Sequence, residues 1–239
     1  MQLKGRKVVV VGAGSGIGRS VAVSAAEAGA TVVLAGRRRE ALEATAALLS
    51  GPSESHTLDA SVEEEVAAFF RTIGRFDHLV STASQGVAGP VTGLEASAID
   101  RAFTAKLWAP IFLTKHGAPR IAPDGSFTFF SGIRAARPGV GTSITSLVNG
   151  GLEAFAKAMA VELGPVRVNV ISPGIVDSGP FWERLGAEGR ERLFNDFAQK
   201  SPARRVGRPE DVAAATLFAI ANPFLTGTVL AVDGGGLLM

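Results

Sequence analysis

The residues of this chain whose types and spacing suit chemistry begin with a glycine turn, Val11-Gly12-Ala13-Gly14-Ser15-Gly16-Ile17-Gly18. An unbroken valine run, Val8 to Val11, leads into it, and the Ala/Val-rich stretch from Arg19 to Gly29 follows. The valines predict a strand buried on both faces, as in a parallel sheet covered by helices. Strand, glycine turn and helix in that order form the context a dinucleotide fingerprint requires. There the backbone N–H groups meet a pyrophosphate at the positive end of the helix. The alternative is a tight strand-to-helix turn that binds nothing.

The next strand, expected over Thr31 to Ala35, runs into Gly36-Arg37-Arg38-Arg39. Gly36 stands 20 residues after Gly16, where an NAD-preferring fold carries an acid for the ribose 2′-hydroxyl. Glycine there, with Arg37 and Arg38 beside it, favours NADP(H), because guanidinium groups make charge-assisted bonds to a 2′-phosphate. Otherwise the arginines cap the strand or start the solvated face of a helix from Glu40 to Leu49. Two more residues are candidates by type. His78, in a strand expected from Asp77 to Val80, is either a base or a structural histidine. Lys106 shares a mostly apolar stripe with Ile99, Phe103 and Pro110 on a long helix from about Ser97 to His116. Pro110 is expected to kink that helix or end its first half.

Holding these residues in place takes a sheet. Further strand patterns lead into Leu58-Asp59-Ala60 and cover Phe127 to Phe130, Arg167 to Ile171 and Val229 to Val232. Between them lie helical patterns: one starting near Ser61, its expected N-cap, one from Ser143 to Leu163, and one starting at Arg208-Pro209. The segment 175–201, with Phe181 and Trp182, reads as a lid offering an apolar surface to a substrate. The whole predicts an α/β fold, a single-domain Rossmann doubly wound parallel sheet spanning 1–239, with about seven strands and helices on both faces. Ligands in such sheets bind at the carboxyl ends of the strands. The formal charge is +2 with the basic residues scattered apart from the arginine run, which argues against a nucleic-acid surface. Cysteine is absent, so disulfides and thiolate metal sites are excluded, and no metal is expected. The first strand starts too early for a signal peptide and no apolar run is of membrane length. A soluble, cytoplasmic protein without membrane contact is the expectation.

With these elements in order, the chain resembles the short-chain dehydrogenase/reductase family over nearly its whole length. The resemblance rests on the glycine turn, Leu58-Asp59-Ala60, Val161-Glu162-Leu163-Gly164, Arg167-Val168-Asn169-Val170-Ile171-Ser172-Pro173-Gly174 and Val232-Asp233-Gly234-Gly235. It implies Gly12, Ser15, Gly16 and Ile17 around the phosphates, Asp59 and Ala60 near the adenine, and Ala83 beside the ribose. Pro173, Gly174, Val176 and Ser178 would hold the nicotinamide half, with Ser178 in place of the usual threonine. The resemblance also implies a small-molecule substrate. A homo-oligomer, dimer or tetramer, would pair through the two long helices and the C-terminal strand region.

Members of that family typically use Asn, Ser, Tyr and Lys, with Tyr and Lys four apart on one helical face. This sequence contains no tyrosine. Registered on Val161-Glu162-Leu163, Thr145 takes the tyrosine position and Asn149 the lysine position. Gly132 takes the serine position and Lys106 the asparagine position, so Lys and Asn have exchanged places. Lys106 is expected to act as proton donor or electrophile, supported by Ser131, Thr145 and Asn149. Desolvation and a cationic nicotinamide would depress its pKa; the alternative is a lysine that snorkels to solvent. The leading function is an NADP(H)-dependent oxidoreductase acting on a carbonyl/alcohol pair or an activated alkene. The alternatives are an inactive NADP(H) sensor or oligomer subunit, and non-redox chemistry such as elimination or isomerisation.

Overall fold

The computed structural model describes residues 3–84 and 86–239, apart from the side chains of Pro180, Phe181 and Arg184. Seven strands alternate with helices along the chain. They are β1 (Lys7–Val11), β2 (Thr31–Gly36), β3 (Ser53–Thr57), β4 (Phe76–Ser81), β5 (Ile121–Phe130), β6 (Arg167–Pro173) and β7 (Val229–Val232). All neighbours pair in parallel, in the order β3-β2-β1-β4-β5-β6-β7. The order reverses between β1 and β4, which makes the cleft above them the switch point of a doubly wound sheet.

The valine run explains why the sheet is covered twice. Successive side chains of a strand point to opposite faces. Val8 and Val10 pack with α1 (Gly16–Glu27) on one face, while Val9 and Val11 pack with α3 (Glu63–Ile73) on the other. Each apolar layer is therefore fed by every second residue of the same strand. The remaining helices are α2 (Arg39–Ala46), α4 (Ala96–Phe103), α5 (Ala109–Gly117), α6 (Ser143–Glu162), α7 (Gly186–Lys200) and α8 (Pro209–Ala221).

Several boundaries differ from the sequence reading. Ser61 does not cap a helix. Val62 is the N-cap of α3, and the Ser61 hydroxyl and N–H both donate to Asp59 Oδ1, at 2.5 and 3.0 Å. The Ser61 hydroxyl donates its proton to the carboxylate two residues upstream instead of turning its oxygen to accept from an orphan N–H of the helix. Gly125 lies inside β5 rather than opening it, and α2 stops at Ala46 rather than Leu49. The loop expected from Gln85 to Gly93 starts on Gln85, which lies outside the described residues. In the segment 175–201, the Trp182 ring faces inward: it is 9% exposed, its Nε1–H donates to the Val176 carbonyl at 2.6 Å, and it meets Phe194 edge-on. The Phe181 side chain lies outside the described residues.

His78 is buried in the sheet, with Nδ1 2.9 Å from Ser126 Oγ. Burial first, then the positive charge of Arg167, lowers its pKa from 6.5 to about 4. It therefore stays neutral in the fold at pH values where the unfolded chain protonates it. Its contribution is present above pH 6.5 and is lost as pH falls towards 4, a loss of about 3 kcal/mol. His78→Gln is expected to flatten that part of the acid-unfolding curve. Urea midpoints at pH 7 and pH 4.5 check it, and equal pH sensitivity in the two proteins would contradict the assignment.

Candidate functional site

The glycine turn closes over the ends of β1 and β4. Gly12 has φ +88° and Gly16 φ +52°, the left-handed region that favours glycine. A Cβ on Gly12 would run into Thr82 Oγ1, and one on Gly16 would sit 2.7 Å from the Ser178 carbonyl oxygen. The turn is thus gripped from two sides. The Thr82 hydroxyl latches it by donating to the Val11 carbonyl at 3.2 Å. Ser15 stands at the N-cap of α1 in extended backbone, and its side chain makes no cap bond. The first N–H groups of a helix left without a cap are open to an anion.

A cavity of about 640 Å³ runs along Gly14–Gly16, Arg19, Arg38 and Asp177–Gly179. In the sequence Arg19 reads as an ordinary helical arginine. Its guanidinium spans from the Gly14 carbonyl, at 2.7 Å, to Thr45 Oγ1, at 3.1 Å, bracing the floor of the cavity. Arg37 and Arg38 are exposed at the end of β2. Burial alone would raise the Asp59 pKa, but the Ser61 bonds and the nearby Arg37 charge hold it below the usual carboxylate value. Ala60 is buried beside it and Ala83 is half-buried after β4. Outside that cavity, Pro173 ends β6 and Val176 is buried. Gly174 admits no side chain, since a Cβ there would lie 2.8 Å from Asp233 Cα. The residues expected to hold a dinucleotide therefore line the C-terminal edge of the sheet, spread on both sides of the switch point.

Deeper in, the long helix does not run smoothly. Between α4 and α5 residues Thr104–Trp108 form a π-helical turn, closed by the Ala109 N–H bonding back to the Thr104 carbonyl. Pro110 follows directly in the first turn of α5. A proline has no N–H to offer the carbonyl four residues back and its ring clashes with it. That carbonyl belongs to Lys106, so the wider turn forms around the lysine itself. The expected kink is a π turn.

Lys106 is 7% exposed. Its Nζ donates to the Phe130 carbonyl at 2.6 Å and to the Ser131 carbonyl at 3.3 Å, at the end of β5. It does not snorkel. Burial is what lowers its pKa, from 10.5 to about 8. Of the other three candidates, Ser131 touches Lys106 through its main chain. The Ser131 hydroxyl, expected to support Lys106, donates instead to Glu153 Oε1 at 2.7 Å. Its contribution to Lys106 is its main-chain oxygen. The Thr145 hydroxyl donates to the Val87 carbonyl at 2.6 Å, tying α6 to the loop after β4. Asn149 is 3% exposed and its Oδ1 has no hydrogen-bond partner among the described residues, while its Nδ2 lies 3.3 Å from where a Cβ on Gly132 would stand. Glu153, one turn beyond Asn149 on α6, is the residue the sequence concealed; a glutamate on an amphipathic helix carries no local signal.

A parallel sheet with its switch point under a glycine turn, an uncapped helix start and a lined cleft defines a nucleotide-binding Rossmann-type protein. Comparisons narrow the class. A family model described as enoyl-(acyl carrier protein) reductase matches residues 12–236. The chain is 32% identical to a short-chain dehydrogenase/reductase, malC, of Malbranchea aurantiaca, over 99% of this chain and 96% of that protein. It is 35% identical to a granaticin polyketide synthase putative ketoacyl reductase of Streptomyces violaceoruber, over 97% and 96% of the two chains. A solved small-chain dehydrogenase in complex with NADPH matches with a TM-score of 0.83 at 34% identity, covering 98% of this chain and 99% of the other. The solved MalC reductase/Diels-Alderase of Malbranchea aurantiaca matches with a TM-score of 0.90 at 30% identity, over 99% and 98%. The chain belongs to the short-chain dehydrogenase/reductase family of oxidoreductases.

Proposed function

We propose that the chain is an NADP(H)-dependent oxidoreductase acting on a small carbonyl/alcohol pair or an activated alkene, with Lys106 as proton donor. The observation that carries this reading is the buried Lys106 ammonium, held by two main-chain carbonyls at the C-terminal end of β5 with a pKa near 8. The cofactor assignment is supported by the uncapped start of α1, the cradle that no Cβ fits and the similarity to an NADPH-bound dehydrogenase. When bound, NADPH supplies the hydride. Gly12, Ser15, Gly16 and Ile17 would receive its phosphates, Asp59 and Ala60 its adenine, and Ala83 its ribose. Arg37 and Arg38 would take the 2′-phosphate, and Pro173, Gly174, Val176 and Ser178 the nicotinamide half.

At pH 7 a lysine of pKa about 8 holds its proton yet gives it up more readily than a free lysine, which suits a general acid. It would pass that proton to an alkoxide or enolate oxygen as charge develops there. Asn149 Oδ1 offers an acceptor to a ligand O–H, and segment 175–201 would close over the substrate as a lid. A cytoplasmic homo-oligomer pairing through its long helices completes the reading. The chain has no tyrosine and resembles a protein named as a reductase and a Diels-Alderase, which favours as second reading a cofactor-binding protein without hydride transfer.

Following stereospecifically deuterated NADPH across a panel of ketones, aldehydes and enones separates the two. Deuterium in a product selects the oxidoreductase; stabilisation by NADPH without transfer selects the second reading. Replacing Arg37 and Arg38 together by alanine is expected to weaken NADPH binding by about 10- to 100-fold, the loss of charge-assisted bonds to a phosphate, and to leave NADH binding unchanged. Equal losses for both nucleotides in a binding titration would remove the 2′-phosphate assignment.

A further inference from the structure

The two carbonyls that hold Lys106 belong to consecutive residues, Phe130 and Ser131, at the point where β5 ends and Gly132 begins a loop. A chain leaving a strand through glycine has little to fix its peptide planes. Two side chains of α6 border it here. Asn149 lies against Gly132, and Glu153 accepts the Ser131 hydroxyl proton at 2.7 Å. Ser131 is 8% exposed and its N–H is spent on the Ile171 carbonyl at 3.0 Å. Backbone and side chain of Ser131 are thus both anchored, one to β6 and one to α6. An ionised carboxylate accepting a hydroxyl proton makes one of the stronger hydrogen bonds available.

The geometry points to Glu153 as a positioning residue: by pinning Ser131 it keeps the Ser131 carbonyl aimed at Lys106 Nζ, beside the Phe130 carbonyl, whose peptide plane the Ser131 N–H already ties to β6. This rests on the reading of Lys106 as the proton donor. Glu153 acts through the Ser131 carbonyl, because hydrogen bonds to the charged form of a group stabilise that form. The other charged side chains on the helices packed around the π turn do not compete for the role. Asp100 and Arg101 on α4 and Lys157 and Glu162 on α6 are exposed, while Lys115 and His116 on α5 pair with Glu63. No charged neighbour contributes to the lowered Lys106 pKa, which comes from burial.

Carbon-13 NMR titration of labelled lysine in the full, nucleotide-free chain tests it, with Lys106→Met identifying the resonance. The parent Lys106 should titrate near pH 8. Glu153→Leu releases the Ser131 carbonyl and should lower the Lys106 pKa by about one unit. Ser131→Ala, which removes only a hydroxyl and endangers the fold less, should copy that shift. Glu153→Gln still accepts the Ser131 proton and should titrate with the parent. A Glu153→Leu variant that titrates with the parent or above it overturns the proposal. So does Glu153→Gln behaving like Glu153→Leu, since then the carboxylate charge and not its hold on Ser131 is the cause. A parent Lys106 that titrates as an ordinary lysine sinks the proton-donor reading itself, whatever the Glu153 variants do.

Discussion

Lys106→Met is expected to lower turnover by about 10²–10⁴-fold, the range that general acid catalysis contributes, while the protein stays folded. It should also remove a pH-dependent term in stability. Burial lowers the Lys106 pKa from 10.5 to about 8, so the folded state releases its proton where the unfolded chain still holds one. The sign follows from that difference in bound protons. Below pH 8 the buried ammonium penalises the fold fully; the penalty fades as pH rises from 8 to 10.5 and is gone above. Its size is about 3 kcal/mol. Methionine fills the lysine stem's volume with a flexible apolar chain, and replacing a buried charge by an apolar side chain is often neutral or stabilising. The Phe130 and Ser131 carbonyls lose a donor, which offsets part of that gain, so the trend with pH decides more than the sign at one pH. Urea unfolding at pH 7 and pH 10 provides the check. The parent should gain on Lys106→Met between the two; a difference independent of pH would contradict the burial of a titrating amine.

Gly18→Ala is expected to damage both the fold and nucleotide binding. Its Cβ would overlap the Gly12 carbonyl oxygen and crowd Thr82 Oγ1. The carbonyl belongs to the turn itself, so no side-chain rotation relieves the overlap. Either α1 tilts away from β1 or the turn opens at Gly12. Overpacking of this kind costs roughly 1–3 kcal/mol, and a domain of this size loses about 2–4 °C for each kcal/mol. The opened turn also spreads the N–H groups that would cradle a pyrophosphate. The variant should therefore melt several degrees lower and gain nothing from NADPH, as differential scanning fluorimetry would read. A variant that melts with the parent and responds fully to NADPH would mean the turn has slack the structure does not show.

What was legible in the sequence follows from where each signal resides. The sheet was legible because Val8 to Val11 leave no polar side for a strand to turn to solvent, and because the glycines follow without a gap. The break at Pro110 was legible as well, since proline removes a donor wherever it stands. The form of the break depends on which carbonyl is freed, and that is Lys106's own. The direction of a hydroxyl was not legible. Ser131 stands beside the expected site, yet its proton goes to a glutamate 22 residues away, a contact set by how α6 lies on β5. Ser61 failed as a cap for a related reason: Asp59 competes for its hydroxyl two residues away. Glu153 and Arg19 belong to the same class, charged residues on helix faces whose partners only the fold brings near.

The measurement that bears most directly on the central claim is the thermal shift of the full chain with NADPH against NADH at equal concentrations. A ligand that binds only the native state raises stability by an amount set by its concentration over its Kd, about 2.7 kcal/mol at a hundredfold excess over Kd. NADPH should raise the melting temperature by several degrees and NADH by clearly less, with the difference lost when Arg37 and Arg38 are replaced by alanine. No shift with either nucleotide would contradict the account at its root, and a larger shift with NADH would overturn the cofactor it assigns.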